Sequence, residues 1–156
     1  MNIKIAGKIL RTTKKTLAVA ESCTGGLLGS LITDTPGSSA YFLGGIVAYD
    51  NRIKIAQLGI KKALLQKYGA VSSQVAGKMA ENIRKKFGSD YGIGITGITG
   101  PDGGSKEKPV GLVYIAVSSK KKTIIQKNIF RGGRRRIRTL AANQALNLLR
   151  RILPSA

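Results

Sequence analysis

The stretch that decides the fold is Thr16-Leu17-Ala18-Val19-Ala20-Glu21-Ser22-Cys23-Thr24-Gly25-Gly26-Leu27-Leu28-Gly29-Ser30-Leu31-Ile32-Thr33. Its first five residues are apolar and partly β-branched, as a strand buried in a sheet requires. Small polar residues and two glycines then break the run, and a helical segment follows to about Thr33. The unit is therefore strand, loop, helix.

Upstream, Ile3, Ile9, Leu10 and Thr13 recur at roughly helical spacing, so residues 2–13 read as a short basic amphipathic helix. Downstream, Asp34-Thr35-Pro36-Gly37 signals a turn, and Tyr41 to Tyr49 is aromatic and apolar enough for a second strand. Asp50 or Asn51 can cap a short helix that stops at Gly59, and another covers about 61–68. Ser72 or Ser73 caps the clearest helix, whose apolar positions Val75, Met79, Ile83 and Phe87 recur every four residues. Tyr91-Gly92-Ile93-Gly94-Ile95 reads as a strand that another backbone can approach closely. It feeds a long loop with Pro101, Gly103, Gly104 and Pro109. Strands at about 111–118 and 123–130 flank the turn at Lys120-Lys121-Lys122, and a last helix runs from about Gly133 to Ile152. Alternating strands and helices followed by a hairpin predict an α/β fold with a mixed, mostly parallel sheet of about five strands, covered on both faces. With no repeat or linker, residues 1–156 are expected to form a single domain.

Composition narrows the chemistry. The chain has 27 Lys and Arg against 7 Asp and Glu, a formal charge of +20, so its surface attracts anions. The basic residues are spread out except at 120–122 and 131–138, with no stacking set of aromatics, which disfavours a specific nucleic-acid binder without excluding one. No apolar run is long enough for a membrane span, and residues 1–10 lack a signal-peptide core, so a cytoplasmic protein is expected. The lone Cys23 cannot form an intrachain disulfide and reads as a small packed residue. There is no histidine, so a Ser-His-Asp triad, a Cys-His pair and a His-ligated zinc site are all impossible.

Three segments could carry chemistry, although each alone has an ordinary structural explanation. Ser22, Thr24, Gly25 and Gly26 lie where a strand gives way to a helix, whose free N–H groups suit a phosphate or carboxylate, with Thr24 as the alternative cap. Gly37-Ser38-Ser39 precedes Tyr49-Asp50-Asn51 and Lys54. A serine is a useful nucleophile only when a base takes its proton, and a lysine near a helix N-terminus has a depressed pKa. Thr96, Gly97 and Gly100 open a loop whose N–H groups could hold an oxyanion or phosphate. Arg134, at the start of the last helix, could clamp a phosphate.

Taken together, Ala20-Glu21-Ser22-Cys23-Thr24-Gly25-Gly26, Gly37-Ser38-Ser39-Ala40-Tyr41-Phe42, Tyr49-x-Asn51, Tyr68-Gly69-Ala70-Val71-Ser72, Thr96-Gly97-Ile98-x-Gly100-Pro101-Asp102-Gly103-Gly104 and Lys108-Pro109-Val110-Gly111 resemble the CinA C-terminal domain family, the nicotinamide mononucleotide deamidases. The resemblance implies a three-layer α/β/α fold and metal-free, cofactor-free hydrolysis of the mononucleotide's carboxamide to nicotinate mononucleotide and ammonia. It implies Ser39 as nucleophile with Lys54 and Tyr49 as partners, and Ser22, Thr96 and Arg134 at the substrate. Thr24, Gly25, Gly26, Asn51, Gly97 and Gly100 are expected to bind substrate beside them. Where the family commonly has Phe-x-Gly-Asp-Arg, this chain reads Phe130-Arg131-Gly132-Gly133-Arg134, so an acid that could orient Arg134 is missing. The chain resembles a stand-alone form without the larger N-terminal domain, and a homodimer is expected. A catalytically silent nucleotide binder and a basic nucleic-acid-associated protein remain the alternatives.

Overall fold

The computed structural model describes residues 2–154. Five strands form one sheet: β1 (Leu17–Glu21), β2 (Phe42–Val47), β3 (Tyr91–Gly97), β4 (Leu112–Ser118) and β5 (Thr123–Ile129), in the order β2-β1-β3-β4-β5. The first three are parallel, and β4 and β5 join antiparallel. Among the described residues the sheet is accompanied by helices α1 (Asn2–Thr12), α2 (Leu27–Thr33), α3 (Asn51–Leu58), α4 (Lys62–Tyr68), α5 (Ser73–Phe87) and α6 (Arg134–Arg150), with a 3-10 turn at Ser38–Ala40. The last helix ends two residues before its expected limit, because Arg151 and Ile152 continue as a tighter turn.

Strand alternation sorts the core into two layers. Leu17 and Val19 of β1, with Ile93, Ile95, Val113, Ile115 and Val117, pack against α1, α2 and α6. Ala18 and Ala20 point the other way, against Leu58, Leu65, Val75, Met79 and Ile83 from α3, α4 and α5. The result is the three-layer α/β/α arrangement. Helix α5 lies close to the sheet because β3 offers glycines beneath it. A Cβ on Gly94 would stand 2.5 Å from the Ala76 carbonyl oxygen and 2.6 Å from the Ala80 nitrogen, so only glycine fits. Ser72 caps this helix by accepting the Val75 N–H at 3.3 Å.

Strand direction fixes which loops meet. Glu21 pairs with Val47 and Ile95, so β1, β2 and β3 finish at one end of the sheet. Leu112 opens β4 opposite Ile129, the last residue of β5, at that same end. The segments after β1, β2, β3 and β5 therefore converge there, as do ligand sites in open α/β sheets. At the other end, Leu17 donates its N–H to the Tyr41 carbonyl. No helix among the described residues is long and apolar enough to cross a membrane.

Candidate functional site

The converging loops enclose a cavity of about 270 Å³, near the lower end of the roughly 300–1,000 Å³ common for small-molecule sites. Of the residues singled out in the sequence, Ser22, Tyr49, Asn51, Lys54, Thr96, Gly97, Gly100 and Arg134 line it. Cys23, Ala70, Val71, Ile98, Thr99, Asp102 and Gly103 join them without having been assigned a role there.

Lys54 forms the floor. It is the fourth residue of α3, whose N-cap Asp50 accepts the Arg52 N–H at 2.7 Å. Only 1% of Lys54 is exposed, and its amine donates to the Tyr49 carbonyl at 2.9 Å. The nearby acid, Asp50, is engaged by Arg52, whose hydrogen bonds hold its pKa down at about 2. Burial lowers the Lys54 pKa, and the helix dipole acts in the same direction. Cys23 lies close enough for its thiolate to interact with the Lys54 charge, yet burial pushes its own pKa up to about 12. It is a wall residue with an inert thiol.

Arg134, the first residue of α6, spans the mouth: one guanidinium nitrogen donates to the Gly100 carbonyl at 2.8 Å and the other to the Tyr49 hydroxyl at 2.9 Å. It is held in place even though Gly133 supplies no side-chain cap. Thr96 donates its hydroxyl to the Ala70 carbonyl at 2.8 Å, and the Lys108 amine donates to the Tyr68 carbonyl at 2.7 Å. These two bonds fix the 68–71 wall and use the remaining shared motifs. The N–H groups of Thr99, Gly100, Asp102 and Gly103 make no hydrogen bond to other described residues, leaving a donor-rich loop at the cavity.

Four expectations need correction. Thr24 does not cap α2, and the N-terminus of that helix is not free for a ligand. The buried Glu21 carboxylate fills it, accepting N–H bonds from Gly26, Leu28 and Gly29 at 3.1, 3.0 and 2.8 Å. Gly25 and Gly26 consequently serve the turn, both with positive φ, and neither they nor Thr24 lines the cavity. Thr24 instead gives its carbonyl to Arg138, while its hydroxyl is buried without a partner among the described residues. Ser39 is also absent from the cavity. It precedes β2 while Lys54 follows it, and six strand residues at about 3.3 Å each separate them by about 20 Å. Within one chain, Ser39 and Lys54 lie at opposite ends of the sheet.

A mixed open sheet with a lysine, an arginine and hydroxyl side chains lining a cavity at its convergent strand ends defines an open α/β domain. Residues 2–153 match the CinA C-terminal domain, and the chain belongs to that family. It is 48% identical over 150 residues to a putative competence-damage inducible protein of Desulforudis audaxviator, covering 96% of this chain and 36% of that protein. It is 54% identical over 137 residues to a CinA-like protein of Acidobacterium capsulatum, covering 88% of this chain and 33% of that one. The chain thus spans about a third of the length of these curated relatives. Among solved structures, the competence/damage inducible protein CihA of Agrobacterium tumefaciens superposes with a TM-score of 0.91 at 34% identity, covering 97% of this chain and 95% of that one. A CinA superfamily protein of Escherichia coli gives 0.93 at 30%, covering 97% and 88%.

Proposed function

We propose that this chain is an amidohydrolase that converts the carboxamide of nicotinamide mononucleotide to the carboxylate and releases ammonia. The observation that carries the reading is Lys54: a buried amine with a lowered pKa, on the floor of a cavity, hydrogen-bonded to a carbonyl instead of paired with a carboxylate. A lysine held this way can stay neutral and act as a general base, the role that the absence of histidine leaves open.

In this scheme Lys54 accepts the proton of an attacking serine hydroxyl, whose oxygen bonds to the carboxamide carbon. The Ser22 hydroxyl and the free N–H groups of the 99–103 loop donate to the oxyanion that develops. Lys54 then returns its proton to the departing nitrogen, which leaves as ammonia, and water hydrolyses the acyl ester to nicotinate mononucleotide and free serine. Arg134 and the overall positive charge favour the anionic substrate. Ser39 is the serine expected to attack, and a single chain keeps it about 20 Å from Lys54, the length of β2. A second chain has to supply it.

The test is ammonia release from nicotinamide mononucleotide by the purified chain in EDTA, with Lys54→Met alongside. Release by the wild type and its near-abolition in the variant support the reading. Unimpaired turnover in Lys54→Met, or binding of the mononucleotide by the wild type with no turnover, overturns it, the latter in favour of a silent nucleotide binder.

A further inference from the structure

We infer that a smaller cavity, between α1 and the turn at 35–37, holds a phosphate group, either as the free ion or as the end of a phosphomonoester. This site does not depend on the deamidase reading.

The first observation is a buried donor with nothing to bond. Tyr41 is 2% exposed, and its hydroxyl has no hydrogen-bond partner among the described residues. Buried polar groups are nearly always satisfied, so such an orphan marks a place where a bound group belongs. Helix α1 fixes its position: a Cβ on Gly7 would stand 2.6 Å from the hydroxyl oxygen, so only glycine leaves room for the tip of the ring. Gly7 and Tyr41 both line the cavity. Burial raises the Tyr41 pKa, which keeps the phenol protonated and therefore a donor.

The second observation is the charge gathered around it. α1 has no acid, and Lys4, Lys8 and Arg11 share one of its faces, spaced four and three residues apart. All three line the same cavity. They form no ion pair among the described residues, and Asp34, the acid next to the turn, pairs with none of them. Like charges at this spacing repel, and an anion between them reverses the sign. Arg11 reaches across to the turn, where a Cβ on Gly37 would stand 3.3 Å from a guanidinium nitrogen. Gly37 also lines the cavity, and its N–H makes no hydrogen bond to other described residues.

The third is size. The cavity measures about 80 Å³, well below the roughly 300 Å³ at which sites begin to enclose whole small molecules. It suits one tetrahedral oxyanion, so the remainder of any ester stays outside. Phosphate fits these donors better than a carboxylate does. A phosphate monoester carries about 1.5–2 negative charges at pH 7, and its oxygens accept from several directions at once. When it enters, the exposed Lys4, Lys8 and Arg11 side chains close over it while the Tyr41 hydroxyl donates from the floor. The site lies at the end of the sheet opposite Lys54, where the Tyr41 carbonyl accepts the Leu17 N–H.

Titration with inorganic phosphate, followed by amide NMR and calorimetry, tests the site without any activity assay. Salt at about 0.15 M screens diffuse attraction to a +20 surface. Under those conditions the Gly7 and Gly37 amides should shift to saturation. Tyr41→Phe keeps the ring and Arg11→Gln changes an exposed side chain, so both should fold. Each should bind about tenfold more weakly, the worth of one charge-assisted hydrogen bond. Lys127→Gln, on the far edge strand, should bind like the wild type. Shifts that never saturate, or full affinity in a folded Tyr41→Phe, overturn the inference. Equal losses in Arg11→Gln and Lys127→Gln reduce the binding to general charge and overturn it as well. Methyl phosphate matching inorganic phosphate assigns the cavity to a monoester end, whereas binding of inorganic phosphate alone assigns it to the free ion. Dimethyl phosphate, with two oxygens blocked, should not bind, and equal affinity for it removes the case for a phosphate end.

Discussion

The Lys54 amine donates to the Tyr49 carbonyl at 2.9 Å, closing a loop over the first turn of α3 and holding a buried amine whose nearest acid, Asp50, is engaged by Arg52. Burial lowers the Lys54 pKa below the ordinary 10.5, so the folded chain binds this proton less tightly than the unfolded chain does. Between the lowered pKa and 10.5 the unfolded state therefore carries more protons, and stability rises with pH across that window. Turnover should rise in the same direction, through the lowered pKa, as the amine becomes neutral. Lys54→Met keeps the apolar stem and removes the charge. It should cut turnover by about 10²–10⁴, the usual worth of a general base, while the melting temperature at pH 7 holds or rises. A variant that melts well below wild type would show the ammonium to be a structural asset instead of a cost.

Arg134 ties Gly100 to Tyr49 across the cavity mouth with two directed bonds. A lysine offers one point charge in place of the planar fork and cannot keep both. Arg134→Lys should therefore weaken mononucleotide binding, with a loss of about 2 kcal/mol, the order of one charge-assisted hydrogen bond. In calorimetric titration this reads as an affinity lower by about 30-fold. Tyr49→Phe removes only the outer partner of the guanidinium and should cost less. Equal affinities for Arg134→Lys and wild type would place the phosphate elsewhere.

Glu21 predicts a stability effect separate from binding. Its carboxylate accepts three N–H bonds at the start of α2, one of them from Leu28 in the core. Glu21→Gln preserves the shape but offers one oxygen where two were used, and it turns an NH₂ group towards donors. The loss should be about 2–3 kcal/mol, seen as a lower urea midpoint with little change in slope. If α2 instead served as an anion seat, Glu21→Gln would leave stability intact and raise mononucleotide affinity.

The sequence showed the elements well because each carried its own local signal: the unbroken apolar run of β1, the four-residue spacing of α5, and Gly59 and Gly88 ending α3 and α5. Most of the cavity was legible too, since Ser22, Lys54, Thr96 and Arg134 lie just after or near the ends of strands that finish together. Ser39 was misplaced within the chain for a topological reason. Residues just before and just after a strand lie at opposite ends of the sheet, however near they are in sequence, and Ser39 precedes β2. Glu21 was overlooked because a cap is sought immediately before its helix, whereas this carboxylate reaches N–H groups five to eight residues onward from the last position of β1.

Gly133 stands where the resemblance leads to the expectation of an acid, and the backbone there is ready to accept one. Its φ of −72° and ψ of 166° suit any L-residue, and a Cβ would meet nothing within 4 Å. Helix α6 opens with Arg134, Arg135 and Arg136 at the positive end of its dipole, and Gly133 provides no side-chain cap. An aspartate would accept a first-turn N–H and offset three adjacent cations. Replacing a glycine cap contributes a few tenths of a kcal/mol, and a carboxylate at a helix N-terminus about 0.3–1 kcal/mol more. Gly133→Asp should thus stabilise the chain by about 1 kcal/mol, raising the melting temperature by about 2–4 °C for a domain of this size. The gain should shrink as salt screens the new charge, and it should vanish below the pKa of the introduced carboxylate. Since Arg134 is already held by Gly100 and Tyr49, mononucleotide affinity should change by less than about threefold, which is under about 0.7 kcal/mol. A large gain in affinity would mean that the missing acid had left Arg134 poorly oriented after all.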